Sequence, residues 1–253
     1  MKAPFVDTHA HLCDPAFQPD LPAVCQRATD AGVAAIIAVG EDLPDARRNL
    51  ELAAQYPAIK PAAGLYPTHL DSEAAVRMAT FIRSNRDHLC AIGEVGLDFW
   101  AVKDPHGKAL QQEIFKTFIQ LSNELDLPLN VHSRSAGRHA IALLQALDAR
   151  RVQLHAFDGK FSTAQPAIEA GYFFSMPPCV MRSRQKQKLL KHLPLDCLLV
   201  ESDSPVLGPD PAQRNEPSNL LIAVKAIADI KGVSLETVTD HLYANTVRLY
   251  GPL

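Results

Sequence analysis

Two histidines separated by one residue lie near the start of the chain, in the segment Asp7-Thr-His9-Ala-His11. Residues i and i+2 of a strand point to the same face, so a strand ending here would direct both imidazoles towards one point. A lone His-x-His pair is more often two surface histidines on a loop. The pair indicates a metal site only if other ligand side chains fall at equivalent places in the fold.

Four further ionisable residues follow apolar, strand-like segments. They are Glu94, His132, His155 and Asp203. An ionisable group at the end of a buried strand is costly unless it is paired or bound to a metal ion. For His155 alone, a role as a core histidine would be equally plausible. Five strands that end in this way, counting the one before His9, predict a site.

The residue types define the chemistry that the site could perform. Four imidazoles and two carboxylates without a thiolate suit Zn²⁺, Mn²⁺, Ni²⁺ or Mg²⁺. Six ligands exceed one tetrahedral zinc site, so we expect two ions about 3.5–4 Å apart, bridged by Glu94. Asp203 can bind metal and also accept the proton of the attacking water, which makes Glu94 and Asp203 the predicted catalytic residues. Asp203 could instead cap the helix that follows the eighth strand.

Eight short apolar segments alternate with longer segments of helical periodicity, and these elements must position the ligands. The predicted strands are Phe5–His9, Val33–Val39, Ile59–Leu65, Cys90–Val95, Leu129–His132, Val152–Ala156, Tyr172–Met176 and Cys197–Ser202. The predicted helices are 20–31, 44–56, 72–88, 107–126, 136–148, 162–170, 183–192, 217–230 and 234–249.

This alternation predicts an α/β fold with a parallel sheet, and eight strands predict closure into a (β/α)₈ TIM barrel. The 253 residues match the length of about 250 that one such barrel needs, so we expect a single domain over 1–253. An open, doubly wound sheet would require a glycine-rich first turn, and here that turn reads Asp-Thr-His-Ala-His. Active sites of barrels lie at the carboxyl ends of the strands, where the predicted ligands fall.

Composition limits the partners and the compartment. The net charge of −3 argues against an extended basic surface, so any contact with DNA should be local to the site. Five cysteines without a C-x-x-C pair suggest reduced thiols and a cytoplasmic protein. The first residues lack the apolar core of a signal peptide, and no apolar segment approaches a membrane span. We expect neither a membrane association nor an obligate protein partner.

Several extended segments resemble the TatD family of metal-dependent hydrolases in the amidohydrolase superfamily. The segments are Asp7–Leu12, Gly93–Asp98, His132–Arg134, His155–Gly159 and Glu201–Leu207, with Asn245 near the end. The resemblance spans the whole chain. Four other segments, 130–138, 170–175, 185–189 and 214–217, are most similar to the third TatD-domain branch of animals.

The resemblance implies that His9, His11 and Asp203 hold one ion, that His132 and His155 hold the other, and that Glu94 is shared. It implies a metal-dependent DNase, in some members a 3′→5′ exonuclease, with DNA as substrate. An acyl or ester hydrolase, such as an aminoacyl-tRNA deacylase, is the alternative. A non-catalytic binding module would have lost at least one ligand, and none is lost.

The substrate contacts are less regular than the metal ligands. Family members often carry Gly-x-His-Pro-His after the third strand, where this chain reads Gly64-Leu-Tyr-Pro-Thr-His69, with both usual histidines absent and His69 displaced by one. The predicted substrate-binding residues are His69, Arg134, Arg182 and Arg184. For Arg134, a salt bridge at the barrel rim is an equal alternative to a phosphate clamp. Weaker candidates are Phe99-Trp100 for stacking on a base, Lys160 and Arg214.

Overall fold

The computed structural model describes residues 3–253, so residues 1 and 2 of the domain predicted over 1–253 lie outside the described range. One sheet of eight strands has the order β1 to β8, and each strand pairs in parallel with the next. The strands are β1 (Phe5–Ala10), β2 (Val33–Ala38), β3 (Ile59–Ala63), β4 (Ala91–Gly96), β5 (Leu129–His132), β6 (Val152–Leu154), β7 (Phe173–Met176) and β8 (Leu198–Val200). The α-helices in the described range are α1 (Leu21–Asp30), α2 (Leu43–Gln55), α3 (Ser72–Ser84), α4 (Pro105–Leu125), α5 (Gly137–Ala146), α6 (Phe161–Glu169), α7 (Arg184–His192), α8 (Leu220–Lys231) and α9 (Leu235–Tyr250).

Hydrogen bonds bring the last strand against the first. The Thr8 hydroxyl donates to the Val200 carbonyl at 2.9 Å. Just beyond β8, the Asp203 backbone N–H donates to the His9 carbonyl at 2.9 Å. The sheet therefore closes into a barrel with a helix after each strand, and the predicted (β/α)₈ fold is confirmed.

Local signals explain most helix boundaries. The Asp71 carboxylate accepts hydrogen bonds from the first backbone N–H groups of α3, and Gly32 follows α1 with φ +88°. The predicted helix 72–88 is divided, because Asn85 leaves helical geometry at φ −118° and a 3₁₀ turn covers Arg86–His88. α4 begins earlier than predicted, at Pro105, since proline is well suited to the first turn of a helix.

The core lies between the barrel and its helices. In α4 the predicted apolar stripe packs inward, with Ile114, Phe118 and Leu121 buried. A second apolar cluster contains Leu249 and Tyr250, so the end of α9 packs against residues of the barrel strands. Within residues 3–253, no helix combines the length and the apolar character that crossing a membrane requires.

Candidate metal centre

The six side chains predicted as metal ligands meet at the carboxyl end of the barrel. They are His9 in β1, His11 directly after it, Glu94 in β4, His132 at the end of β5, His155 directly after β6 and Asp203 three residues after β8. All are buried except His11, whose side chain is 13% exposed. Because the strands are parallel, their carboxyl ends share one edge, and this places residues from five distant segments together.

Three of these side chains form a first group. His9 Nε2 lies 3.2 Å from His11 Nε2 and 3.4 Å from Asp203 Oδ1. The distance from His11 Nε2 to the same Asp203 oxygen is 3.8 Å. Three potential donor atoms therefore surround one point, in the combination that the family resemblance implies for one ion.

The remaining side chains form a second group around Glu94 Oε1. This oxygen lies 2.7 Å from His132 Nδ1 and 2.8 Å from His155 Nε2, and the two nitrogens are 3.1 Å apart. The other oxygen, Oε2, lies 3.3 Å from His11 Nε2. Glu94 thus turns one oxygen towards each group, as a bridging carboxylate would.

The donor set fits divalent cations. Imidazole nitrogens and carboxylate oxygens are ligands that borderline and hard cations accept. The donor atoms of His9, His11 and Asp203 all lie within 4.8 Å of one another. The same holds for the donor atoms of His9, Glu94 and His155, so His9 is close to donors of both groups. No lysine or arginine among the described residues forms an ion pair with Glu94 or Asp203. A bound cation would therefore compensate two buried negative charges.

Two side chains orient the imidazoles from behind, and the sequence did not assign either of them a role. The carbonyl oxygen of the Asn130 side chain lies 2.8 Å from His9 Nδ1. Because this oxygen can only accept, His9 Nδ1 is the donor and Nε2 faces the first group, where a cation would replace its proton. Asp98 Oδ2 lies 3.0 Å from His132 Nε2 and orients that ring in the same way.

A chain of buried hydrogen bonds continues from Asn130 through the barrel interior. The Asn130 amide nitrogen lies 3.3 Å from the Tyr250 hydroxyl, which donates to Gln153 Oε1 at 2.6 Å. The Gln153 amide then donates to the Ser175 hydroxyl at 2.9 Å, and that hydroxyl donates to Glu201 Oε2 at 2.6 Å. The last helix is in this way connected to the metal centre, although its tyrosine lies far from the ligands in sequence.

The pKa values reflect the crowding of charges. Burial disfavours protonated His9, but its hydrogen bond to Asp203 and the charges of Glu94 and Asp203 outweigh burial and raise its pKa to about 10. Burial is likewise outweighed for Glu94, whose pKa three histidines hold well below its usual range. For His155, burial and the neighbouring charge of His9 lower the pKa to about 4. The pKa of Asp203 is also lowered, because its hydrogen bond to His9 outweighs burial. The carboxylates of Glu94 and Asp203 therefore stay ionised, and a cation would compete with the proton on His9.

Unusual backbone conformations surround the ligands. Ala156, directly after His155, has φ +40°, and Asp203 has φ +53°, values that few non-glycine residues adopt. Gly96 has φ +144°, and a Cβ atom there would lie 2.0 Å from the His132 carbonyl oxygen. Glycine at this position therefore lets β4 approach β5 closely enough to place Glu94 beside His132.

A cavity of about 640 Å³ opens above the two groups. Arg134 and Arg182, both predicted to contact substrate, line it together with Tyr66. His69 and Arg184 do not line this cavity, and Arg184 lines a neighbouring one instead.

The structure also bears on the alternative roles considered for Arg134, Arg214 and Asp203. The guanidinium of Arg134 lies over the ring of Trp100, 3.7 Å from its centroid, and forms no ion pair with any described residue. The rim salt bridge considered for Arg134 is therefore absent from residues 3–253. Arg214 is bound to Asp20 at 2.8 Å. Asp203 does not cap a helix, because α8 begins only at Leu220.

Comparison with known proteins gives a consistent result. The sequence profile of the TatD-related DNase family matches residues 6–251. The human protein named deoxyribonuclease TATDN3 is 42% identical over 98% of this chain and 95% of its own. An uncharacterized metal-dependent hydrolase of Methanocaldococcus jannaschii is 33% identical over 97% of this chain and 96% of its own.

Solved structures agree with the sequence comparison. The crystal structure of YjjV, a TatD homolog from Escherichia coli, superposes with a TM-score of 0.90 at 26% identity and covers 98% of each chain. The resemblance to the TatD family is confirmed. The similarity to the third TatD-domain proteins of animals is confirmed as well, by the relatives from human and zebrafish. This chain belongs to the TatD-related DNase family of metal-dependent hydrolases.

Proposed function

We propose that this protein is a nuclease that hydrolyses phosphodiester bonds of DNA with two divalent cations. The observation that carries this proposal is the convergence of four imidazoles and two buried carboxylates beneath a cavity that also contains Arg134 and Arg182. Cationic side chains beside a metal site suit a phosphate ester. The name of the human relative, a deoxyribonuclease, supports DNA as the substrate.

We assign one ion to the first group and the other to the second, with Glu94 between them. The support is that Glu94 directs Oε1 to His132 and His155 and Oε2 to His11. The ligand types accept Mg²⁺, Mn²⁺, Ni²⁺ and Zn²⁺, so the identity of the ions follows from availability and not from the donor set.

Cations bound here would lower the pKa of a coordinated water molecule and neutralise negative charge that develops on the phosphate. Asp203 has the position of the general base: its carboxylate lines the cavity and is ionised, because hydrogen bonding to His9 holds its pKa below the usual range despite burial. Arg134 and Arg182 would bind the non-bridging phosphate oxygens. Asn130 and Asp98 hold the imidazoles of His9 and His132 in place.

End-labelled single-stranded DNA provides the direct test, with Mg²⁺, Mn²⁺, Ni²⁺ and Zn²⁺ supplied separately to the purified chain. We expect cleavage that His132→Ala abolishes and that His88→Ala, at an exposed histidine outside the cavity, leaves intact. Cleavage by the wild-type protein no faster than by His132→Ala under every metal condition would refute the nuclease.

The acyl-hydrolase alternative rested on Tyr66 and Thr68 in place of two histidines. Tyr66 lines the cavity and meets the His132 ring edge-on at 5.0 Å, whereas Thr68 is exposed. No contact in the described residues favours a carbonyl substrate over a phosphate ester. Aminoacyl-tRNA belongs in the substrate panel as the comparison arm.

The compartment rests on a separate argument. All five cysteines are free thiols, from buried to half-buried. Because thiols persist in a reducing environment, we propose a cytoplasmic location.

A further inference from the structure

A second cavity of about 370 Å³ lies beside the catalytic one, between the beginning of α6 and the helix α7. We call it the basic groove, and it is lined by Lys160, Phe161, Arg184, Gln185, Lys188 and His192. Gln185 lines both cavities, so the basic groove and the catalytic cavity are adjacent. The nuclease mechanism above does not use it.

Hydrogen bonds fix the groove relative to the metal centre. The Gln185 amide donates to the Gly159 carbonyl at 2.8 Å. The buried Lys186 ammonium donates to the Ala156 carbonyl at 2.6 Å. Both acceptors belong to the loop that begins directly after His155, so α7 is tied to the segment that carries a proposed metal ligand.

The basic groove carries a local positive charge, although the net charge of the whole chain is negative. Residues 182–192 contain five lysines and arginines and no acidic residue, whereas the whole chain has a net charge of −3. None of the ion pairs among the described residues involves Lys160, Arg184 or Lys188. These three exposed cations are therefore free to bind an anion.

The position of the first of these cations opposes helix stability. α7 has no acidic residue in its first turn, where Arg184 stands instead. The amino end of a helix carries partial positive charge, so cations there cost stability and anions are favoured. Arg184, a cation that breaks this rule beside an active site, is better explained by binding than by folding.

The groove also has an aromatic edge. The rings of Phe161 and His192 lie 5.5 Å apart between centroids, inclined by 40°. Phe161 is only half-buried, so part of its ring is accessible. An accessible aromatic ring next to cations is the combination with which proteins bind single-stranded nucleic acid, because bases stack on the ring while lysines contact phosphates.

We propose that the basic groove binds the same DNA strand at nucleotides beyond the scissile bond, with phosphates against Lys160, Arg184 and Lys188 and a base against Phe161. The proposal rests on the proposed nuclease function. A single strand is the expected form, because its bases are available for stacking and those of a duplex are not. The contact is local, as the net charge of the chain requires.

Binding of the metal-loaded, full-length chain to a labelled phosphorothioate strand of about 12 nucleotides, which spans the usual site size and resists cleavage, provides the test. Each phosphate contact with a single strand releases about 0.7 of a counterion, so losing one contact weakens the affinity about fivefold at 0.1 M salt. Lys188→Ala should therefore weaken binding about fivefold and lower the salt slope by about 0.7. Lys191→Ala, at an exposed lysine of α7 that does not line the groove, should change neither.

A second variant separates stacking from charge. Phe161→Leu keeps an apolar side chain at this half-buried position and should weaken the single strand at least about fivefold with an unchanged salt slope. If Lys188→Ala and Lys191→Ala bind the single strand with equal affinity, the proposal that the basic groove binds DNA is wrong. The proposal is also wrong if a duplex binds as tightly as the single strand. Absence of DNA cleavage by the wild-type chain refutes the nuclease instead, and a Lys188-dependent salt slope would still support the groove.

Discussion

The hydroxyl of Tyr250 tests whether the polar chain inside the barrel stabilises the fold. This hydroxyl donates to Gln153 Oε1 at 2.6 Å and lies 3.3 Å from the Asn130 amide nitrogen. Tyr250→Phe removes one oxygen and keeps the ring, which is 7% exposed, so the packing around it is preserved.

The expected cost follows from the hydrogen bonds that remain. The Asn130 amide still donates to the Thr8 carbonyl at 2.9 Å, but Gln153 Oε1 loses its donor in a buried position. One buried acceptor without a partner costs about 2 kcal/mol. For a domain of this size, that corresponds to a melting temperature lower by about 4–8 °C.

Urea unfolding of the metal-free protein, followed by circular dichroism, measures this difference in free energy. Tyr243→Phe is the matched control, because Tyr243 lies on the same helix and is 39% exposed, so its change should stay within about 0.5 kcal/mol. Two variants of equal stability would show that the hydroxyl contributes nothing to the fold. A lower affinity of Tyr250→Phe for divalent cations should accompany the loss, since Asn130 also orients His9.

Three further predictions concern the metal centre. Asp98→Asn should lower metal affinity about 10–100-fold, because the asparagine orients His132 less strongly. Asp158→Asn, at a carboxylate that lines the catalytic cavity, should leave metal affinity unchanged, and calorimetric titration compares the two variants. Gly96→Ala should destabilise by about 3 kcal/mol more than Gly171→Ala, since both have positive φ but only the first brings a Cβ against backbone; equal unfolding midpoints would contradict this. Chelation should lower the melting temperature, because at 100 times the dissociation constant a bound ion stabilises by about 2.7 kcal/mol; an unchanged melting temperature would show that no ion was bound.

The residues that end the strands could be identified without coordinates. Each predicted ligand follows an apolar segment, and the carboxyl ends of parallel strands share one edge. This rule is independent of the exact strand boundaries. The sequence predicts that β6 ends at Ala156, whereas in the structure it ends at Leu154. His155 nevertheless lies at the carboxyl-end edge of the barrel.

The residues behind the ligands could not be identified in this way. Asn130 precedes His132 by two positions on β5, so strand alternation could have placed it on the same side. No local pattern connects it to Tyr250, which lies 120 residues away, or indicates that Glu201 belongs to the same hydrogen-bonded chain. Such contacts depend on how the end of the last helix packs against the barrel strands.

The sequence alone determined the fold class and the six side chains that meet at the barrel edge, because hydrophobic periodicity and residue type are local properties. Only the tertiary structure decided which donors face each other, such as the two oxygens of Glu94, and that Arg184 lines a separate groove from Arg182. The physical reason is that donor geometry depends on side-chain rotation and on packing between segments distant in the chain. Neither of these is encoded in the spacing of residues along one strand.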